Sequence, residues 1–82
     1  MSRAAKLLAR FNAGSTLTFA ELVYLAEALG FALARQKGSH RIYRHAATGR
    51  QLNLQPSGKD AKAYQCDQLR AIVAEEGLHL DD

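Results

Sequence analysis

The hydrophobic period changes abruptly at Gly30, and that switch constrains the fold more than any other feature of the chain. Before it, Leu22, Leu25, Ala26 and Leu29 recur at i, i+3, i+4 and i+7, which stacks them on one face of an α-helix. Thr18-Phe19-Ala20-Glu21 has the form of a capping box, in which threonine accepts from the third helical amide and glutamate reaches back to the cap. Gly30 supplies a stop, because glycine tolerates the left-handed conformation that closes a helix. The spacing therefore predicts a helix over about 18 to 29. Beyond it, Phe31 and Leu33 alternate with their neighbours at period 2, as in a half-buried strand with both side chains inward.

The same two periods organise the rest. Lys37-Gly38 suits a hairpin turn, so a first strand ends near Gln36 and a second runs over roughly 39 to 45. Ala46-Ala47-Thr48-Gly49 is another turn, and Arg50-Gln51-Leu52-Asn53-Leu54 a third strand with Leu52 and Leu54 facing the core. Three strands on short turns make an antiparallel meander. Leu7, Leu8 and Phe11 predict a short amphipathic helix over residues 2 to 12, ending before Gly14. After the Pro56-Ser57-Gly58-Lys59 break, a last helix runs from Tyr64 or Gln65 to Glu76, with Leu69, Ile72 and Val73 as its buried stripe. The expected class is α+β, a two-layer sandwich with helices on one face of a three-stranded antiparallel sheet, in the order α-α-β-β-β-α. Residues 1–82 make one small domain, without internal repeat, low-complexity segment or linker.

No apolar run approaches the roughly 20 residues that a membrane helix requires. The basic start is not followed by a signal-peptide core, and the single cysteine, Cys66, has no intrachain partner, so a cytoplasmic protein is expected. The formal charge of +3 conceals an asymmetry. Between residues 35 and 62, Arg35, Lys37, Arg41, Arg44, Arg50, Lys59 and Lys62 stand against one acid, Asp60, whereas acids outnumber bases elsewhere. Such a positive middle fits an anionic polymer, although a solvated strand surface would look the same. Glu75, Glu76, Asp81 and Asp82 read as a solubilising end.

Within that basic middle, Gly38-Ser39-His40-Arg41-Ile42-Tyr43-Arg44-His45 puts a histidine directly after a turn. Imidazole exchanges protons near neutrality, and guanidinium groups pair with phosphate oxygens, so the combination suits RNA cleavage. The residues alone leave His40 open between proton transfer and packing beside Gly38. Parity puts His40, Ile42 and Arg44 on one strand face and Arg41 and Tyr43 on the other. With Ile42 expected in the core, His40 falls at the core's margin. Lys37 is a candidate phosphate clamp, and Ser39 either bonds a phosphate oxygen or closes the turn. Lys59 and Lys62, before the last helix, are candidate anion contacts. His45 reads as a surface residue or a phosphate contact, and His79 as part of the tail. No ligand spacing for a metal, no paired carboxylates and no glycine-rich nucleotide motif is present, so neither metal nor cofactor is expected. Cys66 reads as a packing residue.

Gly30-Phe31 followed by Arg35-Gln36-Lys37 and this Gly-Ser-His segment resembles the core signature of HicA toxins, the ribonuclease halves of HicA–HicB toxin–antitoxin pairs. Leu52-Asn53-Leu54-Gln55-Pro56 and Ala61-Lys62-Ala63-Tyr64-Gln65 resemble the ending of one HicA subgroup. The likeness spans about residues 19 to 76, leaving 1–14 as a variable N-terminal helical addition. It implies a fold like the double-stranded-RNA-binding domain, cleavage of messenger RNA, His40 as the catalytic residue, and neutralisation by a HicB-like antitoxin. Many members carry a further histidine after the third strand, where this chain has Gln55-Pro56-Ser57. If the chemistry needs a second proton-transfer group, another residue must supply it. A non-catalytic RNA-binding module, or a degenerate toxin acting only through its partner, remains an alternative.

Overall fold

The computed structural model describes residues 2–80, so Asp81 and Asp82 lie outside the described residues. Helices α1 (Arg3–Asn12) and α2 (Phe19–Ala28) are followed by strands β1 (Phe31–Lys37), β2 (His40–His45) and β3 (Gln51–Leu54), then by helix α3 (Ala63–Glu76). This is the α-α-β-β-β-α order the periodicity predicts. The capping box forms as expected: Thr18 Oγ1 accepts from the Glu21 amide at 3.1 Å, and Glu21 Oε1 accepts from the Thr18 amide at 2.9 Å. Gly30 leaves the helix at φ +106°, and a Cβ there would sit 2.7 Å from His45 Nε2. Both its backbone angle and its neighbour require glycine.

The sheet is antiparallel in the order β1-β2-β3. Its helix-covered face buries Phe31, Tyr43, His45, Leu52 and Leu54 against Leu22, Leu25, Leu29, Leu69 and Ile72. Its other face is open and carries Lys37, His40, Arg44 and Asn53, all exposed, around a half-buried Ile42. Two sequence expectations are corrected here. Ile42 is not a core residue, although parity groups the side chains as predicted. Each face of β2 offers one large apolar side chain, Ile42 or Tyr43, so alternation alone cannot choose between them. Register decides: Tyr43 pairs with Leu52 and Arg41 with Leu54, whereas Ile42 pairs with Asn53. The face shared with two leucines is the buried one.

Leu33 is the second correction, at 47% exposed instead of half-buried. β1 is an edge strand, and only Phe31 in it is buried. A bulge at Ala34 then shifts the register between Leu33 and Arg35, turning the rest of the strand over.

Helix α1 is part of the core. Leu7 and Phe11 are buried, Arg70 Nη2 donates to the Phe11 carbonyl at 3.0 Å, and the Arg70 guanidinium lies 4.5 Å from the Phe11 ring centre. Glu75 and Glu76 do more than solubilise. They hold Arg50 at 2.8 and 2.9 Å, tying the start of β3 to the end of α3. Among the described residues no helix is long and apolar enough to cross a membrane.

Candidate active site

His40 and Lys37 face each other across the β1–β2 hairpin as directly paired residues, joined by Gly38-Ser39 with Gly38 at φ +60°. Opposed residues on one sheet face hold their Cβ atoms about 5 Å apart, so the two side chains leave the hairpin as neighbours. Both side chains are exposed. Two hollows meet at His40. One, of about 270 Å³, is lined by Arg35, Gln36, Lys37, His40 and Ile42. The other, of about 250 Å³, is lined by His40, Arg41, Ile42, Asn53, Leu54, Gln55 and Tyr64. No acid lines either hollow, so the positive charge around the imidazole is unopposed there. Such a site suits a phosphodiester with His40 at its reacting link.

The other predicted residues separate. Arg44 shares the open face but sits four residues along β2, roughly 13 Å away at strand rise. Ser39 is exposed in the hairpin loop. Arg41 turns to the other face, its guanidinium 5.5 Å from the Phe19 ring centre and its Nε buried without a hydrogen-bond partner. Lys59 and Lys62 are exposed but line neither hollow. The Lys59 carbonyl accepts from the Phe19 amide at 2.9 Å, which holds that loop against the start of α2. Arg35 was not singled out from sequence, yet it lines the hollow beside Lys37. In a regular strand it would share the face of Phe31 and Leu33. The Ala34 bulge brings it opposite Ile42 instead.

The family model described as HicA toxin of bacterial toxin-antitoxin matches residues 19–75. The chain belongs to the HicA toxin family. No curated protein and no solved structure matches. The family-matched span includes both hollows, and it begins after α1, even though α1 is packed into the core of this HicA-family chain.

His45 corrects the sequence reading. It is 8% exposed, not a surface residue. Its Nε2 lies 2.9 Å from the Leu29 carbonyl, while Nδ1 accepts from the Ala47 and Thr48 amides at 3.2 and 3.1 Å. Those partners demand a neutral ring with its proton on Nε2. The ring also meets Phe31 edge-on at 5.1 Å. This histidine joins the α2–β1 junction to the β2–β3 turn and has no free nitrogen for chemistry. His79 is exposed beyond α3. Cys66 is buried, and burial pushes its thiol above the ordinary range, the reverse of what a nucleophile needs. Among the described residues no group of three or more histidines, cysteines or acids is placed to hold a metal ion.

Tyr64 and Asn53, which belong to the two segments resembling a HicA subgroup, also line the second hollow. Tyr64 is 57% exposed at the start of α3 and forms part of the wall of the His40 hollow. Besides that segment, its sequence signal is a large aromatic lying off the apolar stripe of the helix.

Proposed function

We propose that the protein is the toxin of a type II toxin–antitoxin pair, an endoribonuclease that cleaves messenger RNA with His40 as general acid/base and no metal. The observation that carries this reading is the exposed His40 ring at the meeting of two acid-free hollows, beside Lys37 and Arg35. Membership of a toxin family supports it. RNA brings its own nucleophile, the 2′-hydroxyl. A nitrogen of His40 takes that proton, the 2′-oxygen attacks the adjacent phosphorus, and the bond to the 5′-oxygen breaks, leaving a cyclic phosphate and a 5′-hydroxyl. Lys37 and Arg35 offset the charge that builds on the phosphate. Arg44, some 13 Å along the strand, serves a neighbouring nucleotide instead of the reacting link. Ser39, Lys59 and Lys62 contribute at most to the outer RNA path, and Arg41 lines the second hollow with its guanidinium turned over Phe19.

A HicB-like antitoxin would inhibit by covering the open sheet face, with acidic or hydrogen-bonding groups against Arg35, Lys37 and Arg44. Messenger RNA as substrate places the activity in the cytoplasm. The test is cleavage of a defined RNA by the purified protein in excess chelator. Wild type should cut it. His40→Ala should lose cutting and keep RNA affinity, and a 2′-deoxy nucleotide at the scissile position should resist. A binding module or a degenerate toxin would cut nothing even as wild type, and cutting by His40→Ala at the wild-type rate would overturn the assignment.

A further inference from the structure

We propose that Tyr64 is the second proton-transfer residue of this site, protonating the departing 5′-oxygen while His40 takes the 2′-hydroxyl proton; this rests on the nuclease reading above. His40 and Tyr64 line the same hollow of about 250 Å³, His40 from β2 and Tyr64 from the first turn of α3. Attacking and leaving oxygens lie roughly in line on opposite sides of a reacting phosphorus. A base and an acid borne on separate elements around one hollow give the reacting phosphorus a group for each of those oxygens. Lys37 lines the adjoining hollow, on the β1 side of His40, and keeps the role of offsetting phosphate charge.

The phenol is also held in place. Gln65 Nε2 donates one hydrogen to the Gln55 carbonyl at 2.9 Å and the other to the Tyr64 hydroxyl oxygen at 3.3 Å. Gln65 is only 1% exposed, and its Oε1 is buried with no hydrogen-bond partner. The bond to the Gln55 carbonyl seats this side chain between α3 and the segment after β3, and its second hydrogen reaches the phenol from that fixed position. With its oxygen already accepting from Gln65, the Tyr64 hydroxyl is free to direct its own hydrogen elsewhere, and the Gln65 donor stabilises the negative charge left as that hydrogen departs. The step balances. The 2′-oxygen loses its proton to His40 and bonds to phosphorus. The phosphorus–5′-oxygen bond breaks with its electron pair on oxygen, and that oxygen takes the Tyr64 proton. Imidazolium and phenolate remain, and proton transfer through water resets both.

The experiment compares two RNAs, one native and one with sulfur replacing the bridging 5′-oxygen at the scissile link. A thiolate leaves without being protonated, so only the native RNA needs the acid. Tyr64→Phe should slow the native RNA by about 10²–10⁴-fold, the usual worth of one proton-transfer group. On the sulfur-bridged RNA it should match wild type, at a temperature where circular dichroism shows both proteins fully folded. His40→Ala should fail on both RNAs. Equal slowing of Tyr64→Phe on both RNAs would make Tyr64 a binding contact, and full activity on native RNA would make it a bystander; either overturns the proposal while leaving His40 as the base. If wild type cuts neither RNA, the nuclease reading falls and this assignment goes with it.

Discussion

Replacing His45 by alanine tests the division of labour between the two strand histidines. The Leu29 carbonyl would lose its partner in a buried setting, a change worth about 1–3 kcal/mol. The Ala47 and Thr48 amides are only part-buried and regain water, so each loss is nearer the ordinary net value of about 0.5–1.5 kcal/mol. The lost edge contact with Phe31 adds roughly 0.5–1.5 kcal/mol. These terms overlap, and a total of roughly 3 kcal/mol is the central expectation. A domain of this size holds only about 4–12 kcal/mol in all, so the thermal midpoint should fall by roughly 12–24 °C. Urea unfolding measures the free-energy loss and a thermal melt the midpoint, both followed by circular dichroism. His45→Asn should recover part of the loss, because its side-chain oxygen can still accept from the two amides. His40→Ala, at an exposed site, should stay within about 0.5 kcal/mol of wild type. A His45→Ala protein as stable as wild type would refute the structural role, and one that lost cleavage at full stability would move His45 into the active site.

Three further outcomes are expected. Phe11→Ala should cost about 3–5 kcal/mol, because α1 fills the core; a chain of residues 15–82 melting like the full protein would contradict this. The Glu21 carboxyl is held below its ordinary value of 4.5, first by the Thr18 amide and then by Arg10, so the stability it contributes is present above that value and is lost as pH falls through its lower folded value. Glu21→Gln keeps the cap geometry without titrating, so its stability should fall less steeply on acidification below about 4.5; identical slopes would rule out the linkage. Cys66 should react with iodoacetamide far more slowly in the native protein than in urea, since burial holds its thiol protonated; equal rates would show that the thiol is exposed.

The architecture was legible because each element carries its own local signal. Thr18 and Glu21 cap one helix, Gly30 stops it, and the change of period at Phe31 marks the sheet. The position of His40 beside a turn was legible for the same reason. What sequence could not supply was the facing of the strands. One-residue alternation sorts β2 into two sets but does not say which set is covered, and Ile42 was the wrong anchor. Arg35 was invisible as a site residue because its facing depends on a bulge at Ala34, which no glycine or proline announces. His45 was misjudged because its partners are backbone groups of Leu29, Ala47 and Thr48, and two of those belong to a turn whose shape appears only once the strands are paired. Tyr64 is brought to His40 by tertiary packing alone.

His40 and His45 carry the same side chain on one strand, five residues apart, and therefore lie on opposite faces. Their chemical difference comes from surroundings only. On the open face the imidazole meets solvent, cations and two hollows. On the covered face both ring nitrogens are committed to the backbone, in bonds that fasten the end of β2 to the α2–β1 junction. That anchorage fastens one end of β2, so the His40 end of the strand is positioned from the His45 end. A change at His45 should accordingly lower cleavage only in proportion to the fraction of protein unfolded, and stabilising solutes should restore it. A change at His40 should lower cleavage in fully folded protein, and no stabiliser should recover it.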